Sequence, residues 1–137
     1  MTISILLSEC GDRREIDAGE SADVTATFYD FSGVVLDKAS IVTLTATLKH
    51  VSSAGVATTI NSRDNQDVLD INGGTVSAAG VLTLKLQPLD NVLVEAAYGG
   101  VESHYLLLEW TWVDTEAVTR TGTQEWEFFI SQHKAFR

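Results

Sequence analysis

Tyr105-Leu106-Leu107-Leu108-Glu109-Trp110-Thr111-Trp112-Val113 reads with a period of two. Leu106, Leu108, Trp110 and Trp112 fall on one side, and Tyr105, Leu107, Glu109 and Thr111 on the other. Successive residues of a strand point to opposite faces, so one face here is wholly apolar and the other mixed. Two indoles on one face need a second layer to cover them, which predicts a central strand in a two-layer β structure.

The same period recurs on both sides of this stretch. Downstream, Asp114–Ala117 makes a turn into a last strand, Val118–Ile130, where Trp126, Phe128 and Ile130 alternate with Glu125, Glu127 and Phe129. Upstream, Ile41–His50 sets Val42, Leu44, Ala46 and Leu48 against Thr43, Thr45, Thr47 and Lys49, one face for the core and one for water. Ser52–Gly55 turns that strand into a hairpin with Val56–Ile60. Ala22–Asp30 points Val24, Ala26 and Phe28 inward and ends at a Ser32-Gly33 turn, and Ile3, Ile5 and Leu7 mark a first strand. Thr75-Val76 and Val81–Leu86 flank a turn at Ala79-Gly80.

The remaining segments read differently. Gly11–Glu20 is charged and predicts a loop. Asn61–Gly74 breaks the strand rhythm: Asp64 would cap a short helix through Asp67, Val68 and Leu69, with Gly73 beyond its end. Pro88 suits the first position of another helical turn, where its missing N–H costs nothing. Asn91–Gly100 is a crossover. The expectation is an all-β, immunoglobulin-like antiparallel β-sandwich of seven to nine strands with one or two short helical turns, a single domain over residues 1–137. A chain of this length buries roughly two-thirds of its unfolded surface and holds a core without covalent staples.

Nineteen acids against nine bases give a net charge of −10, which opposes binding to a phosphate backbone or an anionic membrane and favours solubility. The one cysteine, Cys10, permits no internal disulfide. The first residues lack a basic leader, and no stretch approaches the ~20 apolar residues of a membrane span, so synthesis and retention in a reducing cytoplasm, or release by lysis, are expected.

No catalytic motif stands out. His50, His104 and His133 show no zinc-ligand spacing and read as surface residues. No nucleophile elbow, P-loop or dinucleotide fingerprint is present, and no cofactor is implied. Asp64, Asp67 and Asp70, with Asn61, Asn65 and Asn72 nearby, are hard oxygen donors of the kind that hold Ca²⁺, but they lack the EF-hand order and its closing glutamate, and in a helical turn such carboxylates simply line a solvated face. Glu109, Glu125 and Glu127 are placed on an open sheet face among threonines, paired with Lys49 or Arg120, rather than flanking a glycosidase cleft. Tyr29, Phe31, Tyr98 and Phe129 are the aromatics available to stack a sugar. The tail Gln132–Arg137 carries Lys134, Phe136 and Arg137 on an otherwise acidic chain and is the candidate partner-binding segment.

Phe31-Ser32-Gly33-Val34-Val35-Leu36-Asp37, Val42–Leu48, Gly74-Thr75-Val76 to Leu84, Leu86-Gln87-Pro88-Leu89-Asp90 and Leu107–Trp112 together resemble the small immunoglobulin-like proteins of tailed-bacteriophage virions. Ile60–Asp64 and Trp126-Glu127-Phe128 add to the likeness, which covers residues 24–130. It implies a non-enzymatic structural role in the virion: head decoration or cement, or a head–tail junction component, with a tail or baseplate component as the neighbouring possibility. It implies partners among other virion proteins (capsid, portal or tail) and multiple copies in a symmetric assembly, with no nucleic acid and no membrane. It carries over no site residue. Outside this class stand a carbohydrate-binding module and a glycosidase fragment.

Overall fold

The computed structural model describes residues 4–7 as backbone, and residues 15–94 and 100–132 with their side chains. Ten strands run through them: β1 (Ser4–Leu7), β2 (Glu15–Asp17), β3 (Ala22–Thr27), β4 (Ile41–Val51), β5 (Ala57–Thr59), β6 (Gln66–Asp67), β7 (Gly74–Val76), β8 (Val81–Leu86), β9 (Val101–Val113) and β10 (Thr119–Ser131). They form two sheets, one ordered β1-β3-β8-β7 and the other β2-β10-β9-β4-β5, with β6 also on β4. This is an all-β sandwich. In immunoglobulin lettering the sheets run A-B-E-D and A′-G-F-C-C′.

The period-two stretches build the core. In β9 every second residue from Glu102 to Trp112 is buried, and Leu106, Leu108 and Trp110 are shut off from solvent completely. Val24, Ala26, Phe28, Leu82, Leu84 and Leu86 face them from the other sheet. Each such Leu or Phe contributes ~1.5–3 kcal/mol by leaving water. With no inter-sheet disulfide available, aromatic contact spans the layers: the Phe28 and Trp110 ring centroids lie 5.0 Å apart, tilted by 49°. The Trp110 indole lies over Gly122, its cross-strand partner, where a Cβ would sit 2.4 Å from two indole carbons.

Four hairpin turns share one design. Asp30, Ser52, Ser77 and Asp114 each begin a turn closed by the N–H three residues on, at Gly33, Gly55, Gly80 and Ala117, which donates to the first residue's carbonyl. The closing residue has positive φ in every case, 80°, 82°, 85° and 62°. The next residue is a valine whose N–H donates to the side-chain oxygen of the opening Asp or Ser, at 3.0, 3.1, 3.2 and 2.9 Å. A type I turn followed by one left-handed residue matches the twist of the strands it joins. Glycine takes that conformation freely; Ala117 takes it at a cost.

The structure corrects several expectations. Gly11–Glu20 contains a strand, β2, whose Ile16 is buried and which pairs with Phe129–Ser131 in parallel, the one parallel pair described. Val42 is exposed, because a bulge between Ile41 and Thr43 turns it out and puts Ile41 in the core. The helical turn from Asp64 is absent. Gln66–Asp67 pairs with Thr45–Ala46 instead, and Asn61, Ser62, Asn65, Asp70 and Asn72 hold positive φ, which no right-handed helix accommodates. The turn at Pro88–Asn91 is present as 3-10, and a second lies at Lys38–Ser40, where the Ser40 N–H donates to Asp37 Oδ1 at 3.0 Å.

Candidate functional site

The proposed partner-binding residues Lys134, Phe136 and Arg137, with His133, Cys10 and Tyr98, lie outside the described residues. The acidic groups on the open face of β9 and β10 are where period two puts them. Glu109 has threonines, Thr45 and Thr123, as its cross-strand neighbours. Glu125 accepts Lys49 at 3.4 Å, the expected pairing, and such an exposed contact contributes ~0–1 kcal/mol. Arg120 pairs with Asp114 rather than with a glutamate, at 2.8 Å, and this guanidinium holds the Asp114 carboxyl below its usual range. Glu127 accepts the Tyr105 hydroxyl at 3.1 Å, which raises the phenol's pKa.

Asp64, Asp67 and Asp70 are not gathered as a metal-ligating group among the described residues. Asp70 is engaged by Lys38 and by the Val76 N–H, so its carboxyl titrates below the usual range. Asp67 accepts from the Leu69 N–H at 2.9 Å, capping its own turn.

That segment serves instead to bury an arginine. Arg63 grips Asp90 with two bonds, Nε to Oδ1 at 2.7 Å and Nη2 to Oδ2 at 3.1 Å. Its Nη1 donates to Gln66 Oε1 and to the Asn72 carbonyl, both at 2.9 Å. Asp90 also accepts from Asn61 Nδ2 at 2.9 Å and from the Gln87 N–H at 2.7 Å. Asp90 is wholly buried and Arg63 nearly so. The left-handed residues wrap the loop around this pair, and an open cavity of about 300 Å³ lined by Asn61, Arg63, Gln66 and Asn72 remains beside it.

A second buried polar cluster lies at the sheet end opposite Trp112, and sequence spacing did not reveal it. His50 on β4 and His104 on β9 are direct cross-strand partners, and Glu102 precedes His104 by two residues on the same face. All three are buried, His104 completely. Glu102 Oε2 lies 2.6 Å from His104 Nε2 and 3.9 Å from His50 Nδ1, and it accepts the Val94 N–H at 2.7 Å. His50 Nδ1 donates to the Ser103 carbonyl at 3.1 Å. The His104 ring meets Phe128 edge-on, centroids 5.8 Å apart. Burial pushes the His104 pKa down, against the opposing pull of Glu102, and nearby His50 lowers it further. The expectation of surface histidines is therefore overturned for both. The available signal was Glu102-Ser103-His104, which places two donors on one strand face, but the third donor required the β4–β9 register.

No family model matches this chain, and no curated protein matches it. Among solved structures it is similar to MtrC from Shewanella baltica OS185, at 12% identity and a TM-score of 0.46, over 99% of this chain and 24% of that one. The chain spans about a quarter of that protein's length. Among the described residues no helix is long and apolar enough to cross a membrane.

Proposed function

We propose that this protein is a non-enzymatic structural component of a tailed-bacteriophage virion, a head decoration or cement protein or a head–tail junction component, docking on other virion proteins in multiple copies. The observation that supports docking is the apolar end of the sandwich around Trp112. Phe31, Val34, Val35, Val42, Val113 and Val118 are all large, apolar and exposed. They come from the turn after β3, the bulge of β4 and the β9–β10 hairpin. Phe31 is 64% exposed yet set edge-on against Trp112 at 5.2 Å, with the Arg120 guanidinium 5.4 Å above its ring. Single exposed valines are ordinary, but apolar side chains from three segments meeting at one end mark an interaction surface. A rigid aromatic with an arginine on it is the kind of anchor that interfaces concentrate. The resemblance of the sequence to virion proteins supplies the partner class.

The test is mass spectrometry of purified particles from the source phage, with copy number. Multiple copies per particle are expected, falling in particles that carry Phe31→Asp with Val42→Asp. Absence of the wild-type protein from particles overturns the reading, and undiminished copy number in the double variant moves the docking surface elsewhere. Saturable binding on a glycan array without incorporation would favour the carbohydrate-binding alternative.

A further inference from the structure

We propose that His50, Glu102 and His104 form a binding site for a single divalent transition-metal ion of the zinc class. One donor atom from each lies within 4.8 Å of the others. A tetrahedral ion with bonds of about 2.1 Å has ligand–ligand edges of roughly 3.4 Å, so side-chain shifts on the order of 1 Å bring the three into contact with one ion. Two imidazole nitrogens and one carboxylate oxygen suit a borderline-soft dication.

The backbone supports this arrangement. The β4–β9 register fixes the His50–His104 spacing, and the two-residue strand repeat fixes Glu102 beside them. The Val94 N–H orients the carboxylate, the type of outer support that metal ligands use. Burying three ionisable groups together is costly unless something compensates their charge, and a dication compensates the carboxylate directly. Three protein ligands leave one position on the ion for water or a further donor.

The experiment uses untagged full-length protein, stripped with a chelator and titrated with Zn²⁺ by calorimetry and with Co²⁺ by visible absorption. One ion per chain is expected, with the intense visible bands of four-coordinate Co²⁺. The melting temperature of the wild-type protein should rise with Zn²⁺ concentration. Glu102→Gln keeps the shape and loses the charge; with circular dichroism confirming its fold, it should weaken Zn²⁺ affinity by on the order of tenfold to a hundredfold. His50→Gln should do the same. Absence of saturable one-to-one binding, or of any Zn²⁺-dependent melting shift in the wild-type protein, overturns the proposal without recourse to variants. Unchanged affinity in folded Glu102→Gln and His50→Gln overturns it as well. Binding lost only on His133→Gln places the ion on the C-terminal segment and also overturns it.

Discussion

Replacing Asp90 by alanine should be strongly destabilising. Asp90 is fully buried and its carboxylate receives four donors: Arg63 Nε and Nη2, Asn61 Nδ2 and the Gln87 N–H. Alanine leaves the Arg63 guanidinium charged and buried beneath the loop, with only Gln66 Oε1 and the Asn72 carbonyl to hold it. Breaking one side of a buried ion pair costs ~3–5 kcal/mol, because the remaining charge stays desolvated. A domain of this size carries roughly 5–15 kcal/mol in all, so the variant folds with a much reduced margin. With a urea slope of ~2 kcal/mol per molar, the unfolding midpoint should fall by ~2 M. Urea titration followed by fluorescence of the three tryptophans measures this directly. The paired change Arg63→Met with Asp90→Leu removes both charges and should recover most of the loss, since apolar replacement of a buried pair is often neutral or better. A midpoint shift under ~0.5 M for Asp90→Ala, or a double variant no better than the single, would refute the reasoning.

Gly122→Ala puts a Cβ 2.4 Å from the Trp110 indole, which Phe28 backs at 5.0 Å, and overpacking of this kind should cost ~1–3 kcal/mol in the same urea titration. Ala117→Gly should stabilise by about 0.5–1 kcal/mol, the relief of a left-handed alanine less the extra unfolded-state entropy of glycine, read as a higher melting temperature. His104 has a depressed pKa in the folded state, so the unfolded chain binds the proton more readily. Its contribution is present above ~6.5 and is lost as pH falls from there toward the folded value, so metal-free wild-type protein should lose urea resistance between neutral and mildly acidic pH more steeply than His104→Gln. Leu108→Asp, a charge in the centre of the core, should fail to give a folded soluble protein by circular dichroism.

The sandwich was legible because its long strands alternate cleanly. Trp110, Trp112 and Trp126 sit in the core where period two puts them, and the turns after Asp30, Ser52, Ser77 and Asp114 are marked by Gly or Ala before a valine. What escaped depends on contacts between distant parts of the chain. Ile16 sits between Glu15 and Asp17, a pattern too short to read until its partner Ile130 is known. Val42 continues the apolar alternation of β4, and only the bulge opposite Trp112 and Thr111 reveals that it points outward. The Asp64–Asp70 segment has helix-like spacing, but its asparagines and aspartates are there for left-handed turns, and its purpose is to bury Arg63. His50 and His104 looked like strand-end residues because nothing local distinguishes a covered sheet end from an open one.

The parallel pairing of Glu15–Asp17 with Phe129–Ser131 ties the order of manufacture to the order of folding. On the ribosome β2 emerges more than a hundred residues before the strand that receives it, as the 114-residue separation of Asp17 and Ser131 records. Until then Ile16 has no sheet to join, and the nascent chain carries β9 without β10 beside it. Pairings of such separation form late and leave edges exposed meanwhile. β10 therefore closes the fold: a chain halted short of Phe129 retains most of the described core residues but lacks the fastening that holds β2 to its sheet.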